Sequence, residues 1–230
     1  MAMDIYSLFY LSDQEKNNAV KKIIDSSSPD EDFFVMLILS GMLATIGLMI
    51  DNTAVIIGST LVTPLLAPIL SLALGVSISD KELIRRSIFV LGKSILFVLI
   101  LNCIIAFMLI PPNPLEISGA ISKLTPSMAY FYVAVLSGLA GTFAFVKPKL
   151  SAALPGVAIA VALIPPLAAV SIGITTMNYK IFTGSFQLFL INLIGIVFTS
   201  LLVFSLMRFY PKRKIAHAEI INENNKLNRK

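Results

Sequence analysis

Six long apolar runs leave this chain few ways to fold. They lie near 33–50, 53–79, 87–110, 129–146, 152–177 and 181–207. A bilayer needs about 20 apolar residues per helical crossing, and each run meets or approaches that length. Of the 230 residues, 57% are hydrophobic and only 13% charged, more apolar surface than a soluble domain of this size can hide. The expected fold is all-α and integral to a membrane, with six transmembrane helices.

Helix punctuation refines the runs. Ser28-Pro29-Asp30-Glu31 reads as an N-cap, a proline at the first helical position and acids at the positive end of the dipole. Ser79-Asp80-Lys81-Glu82 reads as a capping box opening the third element, and Thr125-Pro126 as a cap before the fourth. Residues 1–28 form a polar leader with no cleavable signal, so the first span serves as an uncleaved anchor. Within it, the capping box Ser12-Asp13-Gln14-Glu15 precedes Ala19, Val20, Ile23 and Ile24 on one face. That pattern predicts an amphipathic helix at the membrane surface. Residues 208–230 are basic and Asn-rich, and are expected to be a solvated, partly disordered cytoplasmic tail whose Arg208–Lys214 stretch meets anionic headgroups.

Basic residues set the orientation. Six spans put Lys16, Lys21, Lys22, Lys81, Arg85, Arg86, Lys147, Lys149 and the basic tail on one side, and only Lys123 and Lys180 on the other. Both termini are therefore expected in the cytoplasm of a prokaryotic cell bounded by this plasma membrane. Lys93, inside the third span, can snorkel back toward its start.

The halves resemble one another. Ser40-Gly-Met-Leu-Ala-Thr45 matches Ser137-Gly-Leu-Ala-Gly-Thr142, Thr60-Leu-Val-Thr-Pro-Leu65 matches Ala162-Leu-Ile-Pro-Pro-Leu167, and Leu101-Asn-Cys-Ile-Ile-Ala106 matches Ile191-Asn-Leu-Ile-Gly-Ile196. Three spans per unit make the second copy enter from the opposite face. The expected architecture is two inverted three-helix repeats, 29–110 and 129–207, joined by an external loop at 111–128. The second and fifth helices are expected to break at their prolines, Pro64 and Pro68 in one and Pro165 and Pro166 in the other.

The stretch from Leu43 to Arg86, with Ile56-Ile-Gly-Ser-Thr-Leu-Val-Thr-Pro-Leu-Leu-Ala-Pro-Ile69, resembles the prokaryotic "uncharacterised hydrophobic domain" family, as does Leu154-Pro-Gly-Val-Ala-Ile-Ala-Val-Ala-Leu-Ile-Pro-Pro-Leu167. The resemblance covers about residues 33–208 and implies a polytopic membrane protein. It implies no reaction. Many similar proteins carry an additional soluble N-terminal domain where this chain has its short leader.

The prolines direct attention to a site. Each lacks an N–H and so frees the carbonyl four residues earlier: Thr60, Pro64, Val161 and Ala162 for Pro64, Pro68, Pro165 and Pro166. Ser59, Thr60 and Thr63 add hydroxyls, and Asn102 and Asn192 add amides deep in the third and sixth spans. A cavity so lined suits a monovalent cation or a small polar solute, near the midplane between two broken helices. The alternative is that the prolines kink packed helices and the amides join them. Asp51 and Asn52 are candidates for a mouth, though Asp-Asn-Thr also suits a turn between helices.

Other chemistry is poorly supplied. No acid lies deep in a span, which argues against proton coupling. One histidine, His217, and one cysteine, Cys103, offer no metal cluster and no nucleophile–base pair. No cofactor, nucleic-acid partner or enzymatic activity is expected. The bilayer and a small ion or solute are the expected partners. Small-residue faces at Gly41/Thr45, Ser137/Gly141 and Ala169/Gly173 permit a homo-oligomer. A channel or facilitative transporter is the leading expectation. A structural or assembly protein without transport is the alternative.

Overall fold

The computed structural model describes residues 9–109, 121, 126–154 and 163–227. Among these, every regular element is helical. In chain order they are α1 (Asp13–Ser26), α2 (Glu31–Met49), α3 (Thr53–Val62), α4 (Leu66–Ser77), α5 (Lys81–Leu109), α6 (Met128–Val146), α7 (Ile164–Thr175), α8 (Tyr179–Leu206) and α9 (Arg213–Leu227). Short 3₁₀ turns, Pro148–Ala153 and Tyr210–Lys212, follow α6 and α8.

Four helices, α2, α5, α6 and α8, are long and apolar enough to cross a membrane. A fifth crossing results if α3 and α4, bent by 49° across residues 63–65, count as one span. Their outer faces carry exposed Val35, Leu39, Ile88, Phe89, Leu96, Ile104, Leu136, Ile194, Phe198 and Leu202. A soluble surface does not display so continuous an apolar band, whereas lipid solvates it.

The centre belongs to the two shortest apolar helices. Both α4 and α7 are 12 residues long. At 1.5 Å per residue each is about 18 Å, well short of the ~30 Å hydrocarbon layer. All of Leu163–Gly173 is buried, as is Leu65–Gly75 apart from half-buried Leu72. Around them, α7 packs on α2, α5 and α8, while α4 packs on α5 and α8. The other close pairs are α2 with α3, α2 with α5, and α6 with α8.

Three tight corners share one construction. Asp51, Ser79 and Met177 adopt positive φ, at 53°, 55° and 51°. The next residue sends its N–H back to the carbonyl of a glycine five residues earlier: Asn52 to Gly47, Asp80 to Gly75 and Asn178 to Gly173. This is the 6→1 bond of a helix C-terminal motif. Asn52, Asp80 and Asn178 then cap the following helix, accepting from Ala54 and Val55, Leu83 and Ile181 respectively. Glycine is needed because the next helix crosses over it. A Cβ there would meet the backbone nitrogen of Ile56 at 3.0 Å, Ile84 at 3.1 Å and Phe182 at 2.6 Å.

Several expected helix starts shift. Asp80, not Ser79, caps α5, because Ser79 is used for the left-handed turn. Asp30, not Ser28, caps α2, accepting from Phe33. For α6 the N-cap position is Ser127, and Thr125 lies outside the described residues. The capping box at Ser12 and Glu15 is present and opens α1.

At one end of the bundle, α1 packs on α4, α6 and α9. Its predicted apolar face, Ala19, Val20, Ile23 and Ile24, is buried against these helices. The helix exists as the periodicity requires, but protein, not the lipid surface, covers its face. The C-terminal region also departs from a solvated tail. Residues 213–227 form α9, with Ala216, Ile220 and Glu223 buried, and Lys212 pairs with Asp13 at 2.7 Å.

Candidate functional site

The break between α3 and α4 follows from local sequence. Thr63 ends α3 with extended ψ of 123°, as a residue preceding proline prefers. Pro64 has no N–H for the Thr60 carbonyl, and α4 begins two residues later. A cleft of about 330 Å³ opens here, lined by Leu61, Thr63, Pro64, Leu66 and Ala67, with Ser26 at the end of α1, Phe145 near the end of α6 and Leu154 beyond it.

The remaining prolines play a different part from the one expected. Pro68 is the third residue of α4, and Pro165 and Pro166 are the second and third of α7. First-turn N–H groups have no partner within a helix, so proline there removes no helical bond. These prolines stand in the first turn of buried helices, and residues 155–162, which precede α7, lie outside the described residues. They also delete backbone donors from helix N-termini that would otherwise favour anions. Val161 and Ala162, whose carbonyls were expected to be freed, lie outside the described residues.

The hydroxyls near the break turn inward on their own helix. Ser59 donates to the Ile56 carbonyl at 2.6 Å, Thr60 to Ile57 at 2.7 Å, and Thr63 to Ser59 at 2.9 Å. Thr63 thereby serves the last turn of α3 as a cap. Ser59 and Thr60 are buried, whereas Thr63 and Pro64 are partly open to the cleft.

Asn102 is sealed within the protein. It is 1% exposed, and neither amide atom has a hydrogen-bond partner. Gly41 of α2 presses against it: a Cβ on Gly41 would lie 2.7 Å from Asn102 Oδ1. Asn192 is also buried, on α8. The two amides do not occupy matching levels. Asn102 comes 21 residues after the start of α5, Asn192 only 13 after the start of α8. At helical rise these are about 32 Å and about 20 Å. Aligning the α4–α5 corner on the α7–α8 corner pairs Pro68 with Pro166, Asn102 with Ser200 and Asn192 with Ser94. The sequence match sets Pro64 against Pro166, which differs from the corner alignment by four residues, about one helical turn.

Asp51 and Asn52 lie at the exposed α2–α3 corner, where Asp51 supplies the left-handed residue and Asn52 the cap. Both take part in the turn. The small-residue faces are spent within the chain: Gly41, Thr45, Ser137, Gly141, Ala169 and Gly173 are all buried. Thr45 and Thr142 each donate to the carbonyl of the glycine four residues earlier, Gly41 and Gly138. Thr142 also bonds Ser200 at 2.8 Å.

Sequence reading missed a polar network beneath the bundle. Arg86 Nη2 donates to Ser28 Oγ at 2.8 Å, and Ser28 Oγ bonds Glu223 at 2.9 Å. Glu223 holds Lys226, and Arg213 lies 3.7 Å from buried Asp80. Burial pushes the Glu223 carboxyl up, but hydrogen bonds from Lys226 and Ser28 and the charges of Lys226 and Arg86 outweigh it and hold it below the usual range. Asp25 nearby is raised, by burial and then by the Glu223 charge. The only signal in the sequence was the Arg85-Arg86 pair at the start of an apolar run, which served the orientation argument equally well. Among the described residues no group of three or more His, Cys, Asp or Glu side chains could hold a metal.

An apolar helical shell around two buried half-length helices defines a polytopic protein of membrane type. Residues 60–198 match a family described as "Domain of unknown function (DUF389)". An uncharacterized protein of Methanocaldococcus jannaschii is 32% identical over 189 residues, 82% of this chain and 58% of the relative. The chain belongs to this family. It spans somewhat over half the length of that archaeal relative. No solved structure matches it.

Proposed function

We propose that the chain is a channel or facilitative transporter for a small ion or small polar solute in a prokaryotic plasma membrane. The observation carrying this reading is the pair of buried 12-residue helices, α4 and α7, each opened by proline and each too short to cross. Helices that stop within the hydrocarbon layer expose backbone groups there, and such backbone persists where it lines a cavity. The cleft at the α3–α4 break supports a path beside Thr63 and Pro64. The permeating species meets carbonyls and hydroxyls rather than ionised groups.

The matched corners support two inverted repeats of three crossings each, the fifth apolar run being completed by α7. Packing of α5 on α7 has its counterpart in α8 on α4, as two units related by a two-fold require. The basic residues grouped around α1, the start of α5 and α9 support termini on the cytoplasmic side. A structural role without transport is the second reading, favoured by the sealed Asn102 amide and the hydroxyls bonded to their own helix.

Flux into proteoliposomes, across monovalent ions and small neutral solutes, separates the two. Pro64→Ala restores a donor at the break and is expected to straighten α3–α4 and reduce flux at least about tenfold, with insertion retained. Pro166→Ala alters only a first-turn residue and is expected to change flux less. No flux of any species by the wild-type protein leaves the structural reading; flux that is unchanged in Pro64→Ala places the path away from the α3–α4 break.

A further inference from the structure

A second cavity, distinct from the break, lies between the first part of α5 and the second half of α9. It encloses about 430 Å³ and is lined by Glu82, Arg85, Arg86, Phe89, Ile220 and Asn224. The lining is amphiphilic. Arg85, Arg86 and Asn224 bring donors, while Phe89 and Ile220 bring apolar surface. Phe89 is four residues beyond Arg85, hence one turn further along the same face. It is 69% exposed and stands beside Ile88, itself 56% exposed, where the outward apolar stripe of α5 begins. The cavity therefore straddles the level at which α5 changes from charged to lipid-facing.

Charge accounting among the described residues leaves Arg85 without an ion-pair partner. The Glu82 carboxylate faces His217 Nδ1 at 3.2 Å, and Glu223 is held by Ser28 and Lys226. The imidazole offsets the Glu82 charge only when protonated, and the charges of Glu223 and Glu82 also reach Arg86. Arg86 spends Nη2 on Ser28, a neutral hydroxyl, and its Nη1 has no hydrogen-bond partner. Arg85 makes no ion pair among the described residues. Arg85 is exposed with its donors unspent, and its planar fork suits the oxygens of a phosphate, while the Arg86 Nη1 beside it is sealed from solvent.

We propose that this cavity binds the headgroup phosphate of an anionic phospholipid from the adjoining leaflet. Arg85 donates to the phosphate oxygens with the Arg86 charge beside it, Asn224 contacts the headgroup, and the acyl chains descend α5 past Phe89. A lipid so held bridges α5 to α9 and fastens the terminal helix onto the bundle. A free phosphate shares the headgroup chemistry but makes no use of Phe89 and the apolar stripe below it.

The test uses the full-length protein in detergent, with bound lipid counted by native mass spectrometry. The probes are phosphatidylglycerol, phosphatidylcholine and inorganic phosphate. Phosphatidylglycerol is expected to bind at least about fivefold more tightly than phosphatidylcholine, and Arg85→Gln to remove that preference. Arg85→Gln spares the Arg86–Ser28–Glu223 contacts, so folding is retained. Lys214→Gln removes an exposed positive charge of α9 outside the cavity and is expected to leave the preference intact. Equal binding of both lipids, an unchanged preference in Arg85→Gln, or an equal loss in Lys214→Gln overturns the proposal. Inorganic phosphate that binds at millimolar concentration and displaces no lipid assigns the cavity to a soluble anion and overturns the lipid.

Discussion

Replacing the corner glycines by alanine tests the packing that places α7 against α8. Alanine is favoured over glycine within a helix by about 1 kcal/mol. That gain is realised only where a Cβ fits. At Gly173 it would stand 2.6 Å from the backbone nitrogen and 2.9 Å from the Cα of Phe182, neither of which can rotate away. The start of α8 must shift by most of an ångström, and overpacking of this kind costs about 1–3 kcal/mol, with backbone contact placing Gly173 at the upper end. Gly173→Ala is then expected to destabilise by about 2 kcal/mol net. At Gly75 the nearest atoms, of Ile84, stand at 3.1 Å, and loss and gain roughly cancel. Gly92 meets nothing within 4 Å, so Gly92→Ala is expected to stabilise by about 1 kcal/mol. Denaturant unfolding in mixed micelles, followed by circular dichroism, gives all three. The expected order of stability is Gly92→Ala, then Gly75→Ala near wild type, then Gly173→Ala. If Gly173→Ala matches wild type, the close crossing at the α7–α8 corner is wrong; if Gly75→Ala falls well below it, the spacing at the α4–α5 corner is wrong.

Two further outcomes rest on local geometry and charge. Met177 holds φ at 51° and is 93% exposed, so Met177→Gly removes left-handed strain of about 1–2 kcal/mol, loses no packing, and is expected to raise stability by about 0.5–1 kcal/mol after the entropy of glycine is counted. The same denaturation assay checks it, and a destabilised variant contradicts the turn. In the α1–α9 cap, acidification acts in two steps. Asp25 has a raised folded-state pKa, so it takes up its proton earlier in the folded protein than in the unfolded, and stability rises slightly as pH falls through that value. Glu223 has a lowered one, so its contribution is complete above the ordinary glutamate pKa and is lost as pH falls below about 4. Protection of the α9 amides relative to their intrinsic exchange rates should therefore hold to about pH 4 and fall below it, and Glu223→Gln should remove that low-pH step.

Much of this protein is legible without coordinates, because lipid imposes simple rules. Run length and the scarcity of charge determine that the fold is helical and apolar outside. The capping box at Ser12 and the spacing of Ala19, Val20, Ile23 and Ile24 determine α1. Pro64 determines the end of α3, since a missing donor acts locally, whatever surrounds it. What covers each face is decided elsewhere in the chain. An apolar stripe looks the same whether lipid or protein buries it, so α1 read as a surface helix until α4, α6 and α9 were found against it. The tail read as solvated because α9 has few apolar residues; Ala216, Ile220 and Glu223 suffice once Arg86 and Ser28 stand opposite. The relation between the two corners also needed the tertiary structure. Leucine-rich runs align almost as well one turn out of step, whereas aligning the glycine–turn–cap corners, set by the crossing of one helix over another, sets Pro68 against Pro166 and Asn102 against Ser200.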